Sequence, residues 1–325
     1  MATFGDMARK CAQAEDPLNA ALSAMNKASI SLPTLGGKQF WTDQLVFHGW
    51  RIQQNAITGD CRLLDDRDWQ QAGGTFDECR AKLDQIKRDR KLPPMSGTVV
   101  LLLHGLFRAR SSMESLGKYV EGNSKLHACT FGYASTRGDV GAHAAALASV
   151  IEHLDGVEEI HFVAHSLGNL VIRHYLADHT DPKTGQQADP RIKRLVMLGP
   201  PNNGAQLATT LNQNELFETV VGASGQQLGK GWAEFEKTLA TPACEFGIIA
   251  GGRGEKQGYN PLLPGDNDLV VTVDSTKLPG ARDFLLLPVA HTFLMFNDKA
   301  QAATLNFLQN GYFVSAEKRQ PIEKK

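Results

Sequence analysis

The stretch Glu159–Leu170, EIHFVAHSLGNL, decides the fold. An apolar run ends in Ala164-His165-Ser166-Leu167-Gly168, and helix-compatible sequence follows at once. This reads as a strand, a sharp turn and a helix, with a serine at the apex. Such a turn forces the serine backbone into a strained conformation and lifts its hydroxyl clear of the sheet, so the residues two before and two after must be small. Ala164 and Gly168 meet that demand, with Ala standing where Gly is more usual. Ser166 is therefore the candidate nucleophile. The simpler alternative is a helix start at which Ser166 only caps orphan N–H groups. Gly222-Ala223-Ser224-Gly225-Gln226 serves as a control: it has the first glycine, lacks the last, and follows no strand.

Working outward from the elbow, strands and helices alternate. Thr98–Leu103 (TVVLLL) predicts a fully buried strand, residues 111–120 a helix, 126–133 a strand and 139–154 an amphipathic helix. Residues 167–178 read as a helix and Ile192–Leu198 (IKRLVML) as another apolar strand, followed by Gly199-Pro200-Pro201-Asn202-Asn203-Gly204. Strands near 244–250 and 283–287 and a helix over about 298–308 complete the set. Alternation of this kind specifies an α/β fold, a mostly parallel central sheet with helices on both faces.

Ahead of it, residues 1–96 read as an N-terminal extension. Residues 1–38 suggest one or two short helices, and 75–86 a helix ended by Pro93-Pro94. Between them, the β-like runs 45–53 and 61–64, separated by 55–60 with Gly59 as turn residue, predict a hairpin that supplies the sheet's antiparallel edge. The catalytic domain then spans 97–325, with 204–243 either a mobile lid or a fixed helical cover.

A serine hydroxyl is a poor nucleophile at neutral pH. It needs a base within hydrogen-bond reach, which in turn needs an acid to hold its tautomer, in the chain order Ser, Asp or Glu, His. Of the ten histidines only His291 lies beyond the helix that follows Ser166, just past a buried strand where a loop at the sheet's carboxyl edge would present it. The acid should fall between them at a strand end. Gly265-Asp266-Asn267-Asp268-Leu269-Val270-Val271 offers two carboxylates; Asp268, directly before the apolar run, is the first choice and Asp266 the fallback. His165 flanks the nucleophile and points toward the sheet. His104 ends TVVLLL and opens His104-Gly105-Leu106-Phe107. Acyl transfer needs donors aimed at the oxyanion, one from the residue after the nucleophile and one from the loop after this strand, so the backbone N–H groups of Leu167 and Leu106 are the candidates. Phe107 would line an acyl pocket or pack in the core.

Together, His-Gly-Leu, Ala-His-Ser-Leu-Gly, Pro-Pro-Asn-Asn-Gly, Asp-Leu-Val-Val and Val-Ala-His resemble the α/β-hydrolase lipases and esterases, most closely bacterial triacylglycerol lipases with Ala-x-Ser-x-Gly elbows and related lipid deacylases. The resemblance runs from about Gly97 to Leu308. It implies a triad of Ser166, Asp268 and His291. It does not fix the substrate, and nothing matches the calcium site of some larger family members.

The bulk composition fits that reading. Lys plus Arg (34) nearly cancels Asp plus Glu (35), so no polyanionic partner is favoured, and nucleic-acid binding is not expected. The basic runs at 87–91 and near the C-terminus read as solvated segments. The start, MATFGDMARKCAQAED, has no apolar core of signal-peptide length, and nothing approaches the roughly 18 to 20 apolar residues that span a bilayer. The expectation is a soluble, cytoplasmic chain without a transmembrane segment. Five scattered cysteines lack zinc-like spacing and read as free, mostly buried thiols; a Cys61–Cys79 bond is the alternative for an exported protein. No cofactor and no metal are expected. The function implied is a serine carboxylic ester hydrolase acting on a small-molecule or lipid ester. Its rivals are an acyltransferase that uses the same residues and a non-catalytic binding protein on the same fold.

Overall fold

The computed structural model describes residues 39–181, 183–185, 187–204, 224, 227 and 231–324. The helices expected within 1–38 and most of the expected 204–243 lid lie outside the described residues.

The described chain opens with an antiparallel meander of β1 (Trp41–Phe47), β2 (Trp50–Asn55), β3 (Cys61–Leu64) and β4 (Gln70–Gly74). The run 45–53 is thus not one strand. The chain reverses at His48-Gly49, with His48 at φ 51° and Gly49 against Asp66, where a Cβ would stand 2.6 Å from the Asp66 Cβ. Apolar residues continue on both sides of this reversal, so no polar break marks it. The expected hairpin between β2 and β3 is present, with Gly59 at φ 76° in its turn.

The meander does not supply the antiparallel edge of the central sheet. It is a separate four-stranded sheet. Its link to β6 (His127–Phe131), the edge strand of the parallel sheet, is no strand pairing: Arg51 Nη1 donates to the Thr130 carbonyl at 2.6 Å, and just past the strand Asp43 N–H donates to the Gly132 carbonyl at 2.9 Å. Glu121 accepts from the Ala128 N–H at 3.0 Å, so the edge is blunted by side chains rather than extended by a strand.

Helix α1 (Phe76–Asp89) follows, started by a capping box between Thr75 and Glu78. The basic run at its end has a packing role: Lys87 lies over the Phe47 ring and Arg90 over the Trp50 ring. Next come β5 (Thr98–Leu103), α2 (Glu114–Gly122), β6, α3 (Val140–Glu152), β7 (Glu159–His165), α4 (Leu167–Asp178) and β8 (Ile192–Leu198). A short helix α5 (Trp232–Phe235), β9 (Glu245–Gly251), a one-turn α6 (Val273–Thr276), β10 (Asp283–Leu287) and α7 (Asp298–Asn310) complete the described chain.

The six strands β5 to β10 form one parallel sheet in the order β10-β9-β8-β7-β5-β6. Two cores flank it. Val99, Leu101 and Leu103 face one side with the buried residues of α3 and α4, while Val100 and Leu102 face the other with those of α2 and α7. All five aliphatic side chains are fully buried, each worth about 1.5–3 kcal/mol on transfer from water. Leu45, Phe47, Trp50, Ile52 and Leu63 of the meander belong to the first of these cores. The N-terminal extension thus shares its hydrophobic core with the sheet. This is an α/β-hydrolase fold: a parallel sheet covered on both faces, with the strand-turn-helix of β7 and α4 at its centre. Cys61, Cys79, Cys129 and Cys244 are unbonded, and burial pushes the Cys61 and Cys129 thiols up to about 11. No helix among the described residues is long and apolar enough to cross a membrane.

Candidate active site

The turn between β7 and α4 has the geometry that the small residues imply. Ser166 has φ 53° and ψ −121°, a conformation that costs a residue with a Cβ about 1–3 kcal/mol. Ladder bonds fix it from behind: the Ser166 N–H donates to the Leu198 carbonyl at 2.9 Å, so the elbow is tied to β8. A Cβ on Gly168 would stand 2.8 Å from the His104 carbonyl oxygen and 2.9 Å from the Leu103 Cβ, which excludes any larger residue there. The Ser166 side chain makes no capping hydrogen bond to α4. The helix-cap alternative therefore does not describe this serine, which is half-buried with its hydroxyl uncommitted to the helix.

Asp268 and His291 meet in the loops after β9 and β10. The His291 Nδ1 donates to the Asp268 Oδ2 at 2.7 Å, and the His291 backbone N–H donates to the Asp268 carbonyl at 2.9 Å. Because a carboxylate only accepts, Nδ1 carries the proton and Nε2 is left as an acceptor. The other Asp268 oxygen accepts from the Val270 and Val271 N–H groups at 3.0 and 2.8 Å. Asp268 is fully buried and His291 is buried. The acid does not sit at the end of a strand, as the apolar Leu269-Val270-Val271 run suggested, but in a tight turn closed by Asp268 N–H to the Val271 carbonyl, with Leu269 at φ 92°. By capturing two N–H groups, the carboxylate removes the donors a ladder would need.

Asp266 is occupied elsewhere. Its oxygens accept from the backbone N–H groups of Arg253, Gly254 and Asn267, all at 2.8–2.9 Å. Of the two carboxylates, only Asp268 reaches His291.

His165 brings the pair to the elbow. Its ring packs against that of His291 with centroids 4.6 Å apart, and its Nε2 donates to the His291 carbonyl at 3.0 Å. Burial, then the neighbouring His291, push its pKa well below the usual histidine value, so His165 is neutral. Ser166, Asp268 and His291 thus stand at the carboxyl edge of the sheet, where doubly wound sheets place their sites.

Of the oxyanion candidates, Leu167 follows the serine directly, and Leu106 follows Gly105, where a Cβ would stand 3.0 Å from the Ser166 Cβ. Leu167 opens α4 and is fully buried, and its N–H is one of the unpaired donors of the helix start. Leu106 is the second residue of a turn closed by Arg108 N–H to the Gly105 carbonyl at 3.2 Å, so it forms neither half of that bond. Phe107 is no core residue: it sits in this turn at φ 59° and is half-exposed.

A model of the family described as "Domain of unknown function (DUF7379)" matches residues 68–241, just over half of the chain. The chain belongs to the DUF7379 family. The matched span includes Leu106, Ser166 and Leu167 and ends before Asp268 and His291. No curated protein matches the DUF7379 chain. Among solved structures it is similar to a gene product of Listeria innocua, with 19% identity over 66% of this chain and 95% of that one at a TM-score of 0.47. It is also similar to phospholipase PlaB of Legionella pneumophila, at 18%, 55%, 44% and 0.44 in the same order, so the chain spans less than half of that protein. A lipase of Staphylococcus hyicus is similar at 11%, 62%, 89% and 0.44.

Two features of the DUF7379 chain's site escaped sequence reasoning. A Cβ on Gly199 would meet the His291 Nδ1 at 3.1 Å and the Leu294 Cδ1 at 2.9 Å, so the glycine that opens the Pro-Pro-Asn-Asn-Gly loop makes room for the histidine ring. Its signal was a buried strand ending in glycine. Arg173 of α4 is also buried and pins that loop, its Nη1 donating to the Asn202 Oδ1 at 3.1 Å. Nothing in the sequence distinguishes it from a surface arginine.

Proposed function

We propose that the chain is a serine carboxylic ester hydrolase working through an acyl-enzyme. One observation carries this reading: the buried, tautomer-fixed His291–Asp268 pair stands beside the strained turn that presents Ser166. His291 Nε2 takes the Ser166 proton as Oγ attacks the ester carbonyl, and Asp268 holds the imidazole and stabilises the imidazolium. The Leu106 and Leu167 N–H groups receive the developing oxyanion. His291 then protonates the leaving alcohol, and water, deprotonated by the same nitrogen, releases the acid. The surroundings favour esters with an apolar acyl part. Large exposed apolar residues follow three of the five candidates: Phe107 after Leu106, Leu269 after Asp268, and Phe293 and Phe296 after His291.

Fluorophosphonate labelling tests the reading. Intact mass spectrometry is expected to show one adduct on the wild-type chain and none on Ser166→Ala. An unlabelled wild-type chain with no turnover of p-nitrophenyl esters would rule the reading out.

A further inference from the structure

The N-terminal meander lies outside the parallel sheet, yet its polar residues converge on residues 132–134, which pack against the segment that carries the Leu106 turn. Asp43 of β1 is fully buried, and its backbone and side chain both grip Gly132: Asp43 N–H donates to the Gly132 carbonyl at 2.9 Å, and Gly132 N–H donates to the Asp43 Oδ2 at 2.7 Å. The same carboxylate accepts from Arg51 Nη1 at 2.6 Å and Gln53 Nε2 at 2.7 Å, so β2 holds it in place. Next to it, Thr42 Oγ1 accepts from the Ala134 N–H at 3.1 Å. The residue between these two anchor points is Tyr133.

Tyr133 hands the constraint on. Its hydroxyl donates to the His104 carbonyl at 2.6 Å, its N–H donates to His104 Nε2 at 3.3 Å, and the two rings stack 4.2 Å apart. With Nε2 accepting, the His104 proton is on Nδ1, which donates to the Gly105 carbonyl at 2.8 Å. That carbonyl also closes the turn of Leu106 and Phe107. Burial lowers the His104 pKa to about 4, so one neutral tautomer serves this relay throughout the neutral range. Gly105 in turn lies against the elbow: a Cβ there would be 3.0 Å from the Ser166 Cβ. Beyond the turn, the meander side grips again. Gln39 Nε2 donates to the Arg108 carbonyl at 2.8 Å, and Arg110 pairs with Asp68 of the β3–β4 turn.

We propose that the meander is part of the catalytic machinery: Thr42 and Asp43 clamp residues 132–134, and Tyr133 with His104 transmits that clamp to Gly105, fixing the turn that aims the Leu106 N–H. Thr42, Asp43 and Tyr133 are positioning residues, since none touches the reacting atoms. The inference rests on the ester-hydrolase reading for its kinetic consequence and on the hydrogen-bond relay alone for its mechanical one. An oxyanion donor is worth its full effect only at the right distance from the oxyanion, and a displacement near 1 Å costs on the order of 100-fold.

Two variants keep the test clear of misfolding. Asp43→Asn breaks the buried pair with Arg51 and endangers the fold, whereas Tyr133→Phe and Thr42→Val each delete one polar atom and retain the shape. Amide hydrogen exchange of residues 105–108, kcat and KM on a p-nitrophenyl ester, fluorophosphonate stoichiometry and melting temperature are measured for each. The expected result is faster exchange at 105–108, kcat lower by roughly 10-fold with KM within about 2-fold, full labelling and little change in melting. Unchanged exchange at 105–108 in both variants would overturn the relay, and faster exchange with unchanged kcat would overturn its role in catalysis. If the wild-type chain neither labels nor hydrolyses, the ester-hydrolase reading and the catalytic half of the proposal fall together, and faster exchange in the variants still upholds the mechanical link.

Discussion

The turn after β7 and the turn after β9 each present one side chain to the candidate site, and they are held in opposite ways. At the first, Ser166 itself carries the strain, its side chain makes no local hydrogen bond to the helix, and small neighbours are demanded at fixed spacing. At the second, Asp268 is saturated: two backbone N–H groups and one imidazole N–H occupy its oxygens, and the positive φ falls on its neighbour Leu269. On the proposed reading, Ser166 must be available to attack, and its turn stores strain and leaves its oxygen uncommitted to the helix. An orienting acid must stay put, so its turn uses hydrogen bonds.

The sharpest break between the two turns is kinetic. Ser166→Ala is expected to lower kcat on short p-nitrophenyl esters by about 10⁶-fold while the melting temperature stays near that of the wild type. Retained turnover would sever the elbow from the chemistry. Asp268→Asn should lower kcat by about 10⁴-fold, because the amide favours the wrong imidazole tautomer. Asp266→Asn should leave kcat within about 10-fold and instead destabilise the fold by about 1–3 kcal/mol through the Arg253 and Gly254 N–H groups it serves. Steady-state kinetics and urea titration on the same samples separate these outcomes, and equal kinetic losses would erase the distinction between the carboxylates.

Three buried histidines, His104 just past β5, His143 of α3 and His165 before Ser166, make the fold acid-sensitive. Burial lowers His104 and His143 to about 4 and holds His165 well below the usual histidine value. In the unfolded chain these groups titrate near 6.5, so between pH 6.5 and about 4 the unfolded state binds more protons than the folded one. Their contribution is complete above pH 6.5 and is lost as the pH falls toward 4, at about 1 kcal/mol per pH unit for each histidine. The urea midpoint should therefore drop clearly between pH 7 and pH 5. The smallest expected effect sharpens the strain itself: Ser166→Gly relieves the positive φ and should raise unfolding stability by about 1 kcal/mol, with activity lost.

The elbow was legible because its constraint is local: a serine at a positive φ needs small residues two positions away, and Ala164 and Gly168 declare it. His291 was legible by elimination, as the one histidine beyond α4 and its C-cap residue His179. Asp268 was the first choice and Asp266 the fallback, and the sequence could not separate them fully, since residues two apart in a loop differ in what they hydrogen-bond, and that depends on Arg253, Gly254 and Val271. The meander was misread twice, first as a single hairpin and then as an edge of the central sheet. Val46, Phe47, Trp50 and Ile52 are apolar across the His48-Gly49 reversal, and alternation within a strand does not encode which neighbour it pairs with.

By itself, the sequence determined the alternation of strand and helix, the parallel sheet and the position of the strained Ser166 turn, because periodicity and steric demand act over a few residues. Only the tertiary structure decided which carboxylate holds His291, that the N-terminal strands form a sheet of their own, and that Asp43, Tyr133 and His104 join that sheet to the turn of Leu106. The hydrogen bonds of His291, Tyr133 and Asp43 among these join groups 23 to 89 positions apart, and no local pattern of apolar and polar residues records the partner of a buried donor.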